Sequence, residues 1–209
     1  MKWIATIVRI LFLAFFLFLT ITGNMMMWLA LFGVSLVAAV FFGRVYCGYV
    51  CPMNTVMIPT EWISKKLKLQ TDKTPKWLEK GILPWFLLGF SVVVMLLFKK
   101  MIHINIPILL IWLVISFLVT LRYKPHVYHN LICPFGALQK TFGRFAIFSK
   151  KVNKSVCIGC KKCEKVCPSR AIIVGAEDKK AEIVTNLCHQ CTNCADVCPV
   201  SAINYSKSR

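Results

Sequence analysis

Acidic side chains are scarce in this chain: its 209 residues include 8 Asp and Glu against 26 Lys and Arg. None of the eight falls within a long apolar stretch, which excludes a ladder of carboxylates carrying protons through a bilayer. Paired histidines at matching depth are missing from the same stretches, and with them a bis-histidine haem site. There is no G-x-x-x-x-G-K-[ST] loop and no G-x-G-x-x-G turn to cradle a nucleotide phosphate, nor a Ser/His/Asp constellation for hydrolysis.

Apolar residues are abundant instead. They make up 57% of the chain, and the mean hydropathy is +0.66, too high for an ordinary soluble domain of this size. Four stretches, Ile4–Thr22, Met25–Phe42, Ile82–Phe98 and Ile104–Leu121, each have roughly the 17–25 residues that cross a bilayer as a helix. Short connections at Gly23-Asn24 and Lys99–His103 fold them into two hairpins. The first stretch is expected to be a retained anchor, because Thr22-Gly23-Asn24 is a poor A-x-A cleavage site. Arg9, the single charge inside it, is expected to snorkel to an interface. Trp28, Trp85 and Trp112 are read as lipid-facing or interface anchors. His103 and Lys99 are read as headgroup neighbours, with a quinone head group as the sharper alternative. The long loop Gly43–Gly81 and everything from Arg122 onward carry nearly all the basic residues, whereas the short-turn side holds Lys99 and Lys100. The positive-inside rule then places both termini and the long loop in the cytoplasm. The basicity is a topology signal, and no nucleic-acid partner is expected.

Residues 45–52 read VYCGYVCP and residues 127–134 read VYHNLICP. The two match in register across 82 residues, with His129 where the first copy has Cys47. Each is followed by a mildly amphipathic stretch, TEWISKKLKL over 60–69 and FGALQKTFGRFAIF over 135–148, suited to the membrane surface. Residues 1–149 therefore read as a duplicated four-helix membrane domain, with Lys150–Lys154 as a basic link to a different domain at 150–209.

That second domain carries the strongest signal. Cys157, Cys160, Cys163 and Cys167-Pro168 form C-x2-C-x2-C-x3-C-P, and Cys188, Cys191, Cys194 and Cys198-Pro199 repeat it thirty-one residues later. The pattern resembles bacterial two-cluster ferredoxins. In such proteins three closely spaced thiolates and the distant fourth serve different cubes. The resemblance assigns one [4Fe–4S] cluster to Cys157, Cys160, Cys163 and Cys198, and the other to Cys188, Cys191, Cys194 and Cys167. Zinc knuckles usually lack the C-P ending, which disfavours two zinc sites. A hairpin over Ile173–Ile183 with its turn at Gly175–Lys180 is expected between the motifs. His189 is expected as a surface residue beside a cluster. Lys161, Lys162, Lys165 and Arg170 form either a solvated face or a docking surface for an acidic redox partner or anionic lipid.

With the helices, the Cys-Pro elements and the ferredoxin motifs together, the whole chain resembles the NapH/NosR-type membrane ferredoxins. The resemblance implies a mainly α membrane protein with four transmembrane helices in two hairpins, followed by a small α+β two-cluster domain. It implies electron transfer among a quinone, a soluble ferredoxin or flavoprotein, and partner redox subunits of a membrane complex, the chain being a non-catalytic subunit. The family has Cys at both outer positions of its Cys-Pro elements, and His129 departs from that. Three readings stand: a third iron–sulfur cluster held by Cys47, Cys51, Cys133 and His129; a cluster on three Cys with a water or partner ligand; or a lapsed site whose residues only pack. Two other roles remain open, an electron donor for maturing or regulating another metalloenzyme, and a structural anchor for the ferredoxin domain.

Overall fold

The computed structural model describes residues 2–71, 74–101 and 107–207. Helix α1 (Lys2–Ile21) and α2 (Met25–Phe42) form the first hairpin. Gly23 takes φ +75° between them, and the Asn24 N–H reaches back to the Leu19 carbonyl, so the helix ends in a left-handed cap that a side chain at Gly23 would strain. After α2 come a π turn at Tyr46–Val50 and α3 (Pro52–Lys66); the stretch expected as a surface helix from Thr60 is the second half of α3. The second half of the domain repeats the order with α4 (Leu83–Met101), α5 (Ile108–Arg122), the short α6 (Pro125–Val127), a π turn at Tyr128–Ile132 and α7 (Pro134–Gly143).

Among the described residues three helices, α1, α2 and α4, are long and apolar enough to cross a membrane. The fourth apolar stretch is the shorter α5, of 15 residues; its expected start and His103 lie outside the described residues, and Lys99 and Lys100, expected in the short turn, belong to the end of α4. The outward faces of α1, α2 and α4 expose Leu11, Phe18, Val34, Phe86 and Leu96, an apolar coat that bilayer hydrocarbon would cover. Inside, Phe16, Trp28, Phe32, Tyr46, Met57, Trp112 and Tyr128 share one core with Cys47, Cys51 and Cys133. Trp28 and Trp112 are buried rather than lipid-facing. Trp28 donates its indole N–H to the Tyr46 hydroxyl (3.0 Å), Trp112 donates to Ser91 (3.1 Å), and the Tyr128 hydroxyl donates to the Trp112 carbonyl (3.1 Å). A buried indole or phenol needs such a partner, and the tyrosine of each Cys-Pro element is tied in this way to a buried tryptophan residue, Tyr46 through the Trp28 indole and Tyr128 through the Trp112 carbonyl. Trp85 is exposed, as an interface anchor would be.

The C-terminal region is α+β. Strand β1 (Phe148–Val152) pairs antiparallel with β4 (Ile203–Lys207), and β2 (Ile172–Val174) with β3 (Ala181–Ile183), the expected hairpin. The stretch expected as a basic link is thus partly strand. Ser149 is fully buried, and the lysines beside it sit on the outer edge of a two-stranded ribbon. Two one-turn helices, α8 (Lys162–Lys165) and α9 (Asn193–Asp196), each carry the third Cys of a motif. The region packs directly on the membrane part: the Ile147 N–H donates to the Val40 carbonyl (3.2 Å), Tyr205 to the Phe42 carbonyl (3.2 Å) and Asn130 to the Ser169 carbonyl (2.7 Å).

Candidate iron–sulfur centres

Both Cys-Pro elements use one local device. In each, the π turn widens the last helical turn so that the Cys N–H donates five residues back, Cys51 to Tyr46 (2.9 Å) and Cys133 to Tyr128 (2.8 Å). The cysteine then turns extended, with φ −65° and ψ 117° at Cys51 and φ −65° and ψ 115° at Cys133. A proline follows as the first helical residue, where its missing N–H costs nothing. Each sulfur consequently sits at a helix N-terminus. The Met53 and Asn54 N–H groups point at Cys51, and the Gly136 N–H donates to the Cys133 sulfur at 3.3 Å. N–H groups and the positive helix end stabilise negative charge at that atom.

Cys47, Cys51, Cys133 and His129 are all buried. Burial, and then the neighbouring Cys47 and Cys133, push the Cys51 thiol far up. Burial raises Cys133 to about 11, opposed by the Gly136 N–H, with Cys47 raising it further. The three sulfurs thus lie close enough to repel one another as anions, an arrangement that a shared cationic centre would relieve. Among the described residues no three such side chains converge as a single ion requires. A cluster holds its ligands around a larger body than one ion, and buried soft thiols with N–H donors suit iron–sulfur chemistry.

His129 is brought to the same place but faces another way. Its Nε2 lies 3.2 Å from the Asn54 Oδ1, while the Asn54 amide N–H donates to the Gly48 carbonyl (3.5 Å). In the tautomer that makes this bond with the Asn54 oxygen, Nε2 carries the proton and Nδ1 keeps its lone pair. Burial, then Arg44 and His126, depress the imidazole to about 3, so it is neutral across ordinary pH. Its ring packs edge-on against His189, with centroids 4.5 Å apart and planes at 80°.

His189 was expected on the surface and is instead 2% exposed, wedged between the two parts of the molecule. Its carbonyl presses on Gly48, where a Cβ would collide with it, and neither ring nitrogen has a hydrogen-bond partner among the described residues. The cause is packing: residues 189 and 190 lie against the first Cys-Pro element, as the bond from the Tyr49 hydroxyl to the Gln190 carbonyl (3.3 Å) also shows. Arg9 donates to the Gly48 carbonyl (2.8 Å) and lies over the Tyr49 ring, so the charge inside the first apolar stretch reaches the first Cys-Pro element.

In the C-terminal region one cavity is lined by Cys157, Cys160, Cys163 and Cys198. Cys188 is pushed up to about 12, by burial and then by Cys191, Cys194 and Cys167. The Ala171 and Ala202 N–H groups donate to the Cys167 and Cys198 sulfurs, each at 3.3 Å. Cys160 is exposed, next to Lys161 and Lys162.

Arg44, Asn54 and Gln190 are site neighbours that sequence reasoning passed over. Gln190 takes φ +57° where the first motif has Gly159 at φ +68°. A left-handed residue other than Gly costs about 1–2 kcal/mol. The Gln190 side chain joins Ser149 (2.8 Å) and the Lys150 N–H (3.0 Å), locking the motif to β1. Aligning the two motifs flags this position; nothing local flags Asn54.

Comparisons with known proteins fit this geometry. A family described as "4Fe-4S binding domain" matches residues 24–70 and 105–155, and one described as "4Fe-4S dicluster domain" matches 150–205. The ferredoxin-type protein NapH of Haemophilus influenzae is 32% identical over 163 residues, covering 69% of this chain and 55% of that protein. The methylamine utilization ferredoxin-type protein MauN of Methylobacillus flagellatus is 29% identical over 183 residues, covering 79% of this chain and 63% of that protein. An uncharacterized protein of Methanocaldococcus jannaschii is 31% identical over 148 residues, covering 70% and 60%. The chain thus spans little more than half the length of the curated relatives it matches. No solved structure matches it.

Proposed function

We propose, for a chain that belongs to the NapH-type family of membrane ferredoxins, that it relays electrons between its ferredoxin region and a centre at the membrane surface. The coarse function, an iron–sulfur electron-transfer protein of the membrane, follows from the family. The observation that carries the relay is the His129–His189 contact, which joins the Cys-Pro elements to the residue beside Cys188. Iron–sulfur clusters bound at the three sites would supply one-electron exchange.

Cys157, Cys160, Cys163 and Cys198 hold one [4Fe–4S] cluster, and Cys188, Cys191, Cys194 and Cys167 the second. Cys47, Cys51, Cys133 and His129 hold a third. Asn54 supports the last assignment: an imidazole that ligates metal almost always donates its other N–H to a fixed acceptor. The exposed Lys161, Lys162, Lys165 and Arg170 offer a docking face beside Cys160 for an acidic soluble ferredoxin or flavoprotein. On the membrane side, a groove of about 460 Å3 between α1, α3 and α5 is lined by Arg9, Leu13, Thr55, Thr60 and Phe117, an apolar setting with a cation for a quinone. The crossing count is four, with α5 as the fourth span. Both termini and the ferredoxin region face the cytoplasm of a prokaryotic inner membrane, on the charge asymmetry of the loops, and a partner redox subunit completes the pathway.

Iron analysis with EPR-monitored redox titration of the detergent-solubilised chain tests this. About twelve irons per chain are expected from three four-iron clusters, and about eight would remove the membrane-surface centre. In rapid-mixing reduction, His189→Ala is expected to slow electron arrival at that centre while leaving reduction of the ferredoxin clusters unchanged; equal arrival rates would overturn the relay.

A further inference from the structure

Arg44 is fully buried, yet among the described residues no carboxylate lies within ion-pair reach of it. Its Nη2 donates to the Cys47 sulfur at 3.7 Å and its Nη1 to the Asn130 Oδ1 at 3.5 Å, while Nε has no partner. An uncompensated guanidinium in a protein interior loses its hydration with nothing to offset it. The fold nevertheless makes space for it. Two glycines of α7 flank the side chain: a Cβ at Gly143 would meet the Arg44 Cγ at 3.1 Å, and one at Gly136 would meet Nη2 at 3.3 Å. The cation therefore reaches from the first half of the membrane domain into the second, between Cys47 and the Gly136 that caps Cys133.

The duplication sharpens the point. The position 82 residues after Arg44 is His126, which turns outward and pairs with Arg170 at 3.5 Å. The half that supplies two thiols supplies a buried cation, and the half that supplies one thiol and a neutral imidazole supplies none.

We propose that Arg44 is the built-in counter-ion of the membrane-surface iron–sulfur centre, a positioning residue that holds the anionic ligand set and raises its reduction potential. The inference rests on the third-cluster reading above. A thiolate-ligated cluster carries net negative charge, and reduction adds one more electron, so a fixed cation beside it stabilises the reduced form more than the oxidised form. The same charge offsets what the sulfurs lose in leaving water, and the sulfurs do the same for the guanidinium.

The test is iron analysis and EPR-monitored titration of the full chain in detergent as wild type, Arg44→Met and Arg44→Lys, with the two ferredoxin clusters as internal standards for folding. At the wild-type midpoint of the membrane-surface centre, Arg44→Met is expected to lower its reduced-to-oxidised ratio about tenfold, about 59 mV for a one-electron couple, with Arg44→Lys recovering most of the shift. Loss of that centre in Arg44→Met but not in Arg44→Lys equally supports a role for the charge. An unchanged midpoint in Arg44→Met overturns the proposal, as does equal loss of the centre in both variants, which marks a steric role. A wild-type chain with about eight irons overturns the third-cluster reading itself, independently of either variant.

Discussion

The two Cys-Pro elements share a backbone and differ in the chemistry they present. Cys51 and Cys133 occupy the same π turn, the same extended conformation and the same helix N-terminus. Four positions earlier the halves diverge. Cys47 is buried with Arg44 beside it, whereas the His129 ring meets His189 in a T-shaped contact and its Nε2 meets Asn54. The inner cysteines are set by backbone geometry that local sequence repeats, so both halves keep them. The outer positions answer to what packs on them, and only the second outer residue carries a ring that meets one from the ferredoxin region. The repeated frame sets the inner cysteines, and packing against the ferredoxin region sets the outer positions apart.

The largest expected effect comes from breaking what the halves share. Cys51→Ser and Cys133→Ser should each remove about four irons per chain and leave the ferredoxin EPR signals in place; retention of full iron in either would show that the elements do not meet at one centre. Restoring the symmetry with His129→Cys should keep the iron and shift the membrane-surface midpoint to more negative values, because an anionic ligand replaces a neutral one. An identical midpoint in titration would mean that the imidazole is not a ligand.

Smaller effects separate the docking contacts. Gly48→Ala forces a methyl into the His189 carbonyl and should destabilise the ferredoxin region by about 1–3 kcal/mol, read as a lower Tm in detergent. Asn130→Ala, at the matching position of the second element, loses the hydrogen bond to Ser169 and the longer one accepted from Arg44, and should cost about 1–1.5 kcal/mol in the same measurement. A larger loss from Asn130→Ala than from Gly48→Ala would reverse the ranking of the two halves. Gly33→Ala, on α2 away from both elements and with open space around it, should be neutral or stabilising by about 0.5–1 kcal/mol.

Much of the fold was legible in the chain. The apolar stretches, the proline after each cysteine and the paired C-x2-C-x2-C-x3-C-P motifs are local patterns, and α1, α2, α4, the Gly23-Asn24 turn and the β2–β3 hairpin appear where those patterns stand. Lys150–Lys154 misled because alternating burial in an edge strand tolerates lysine, and its partner strand lies some fifty residues away. Trp28 and Trp112 misled because an apolar helix looks alike on its lipid and protein faces until the buried tyrosine it serves is known.

Sequence by itself determined the class of this protein, since thiol spacing, span length and loop charge are properties of short windows of chain. Tertiary structure alone decided that Arg44 is buried, that His189 sits against His129, and that Gln190 locks a ferredoxin motif to β1. Each of those depends on surfaces brought together from distant parts of the chain, where desolvation and close packing, rather than local propensity, choose which side chain is enclosed.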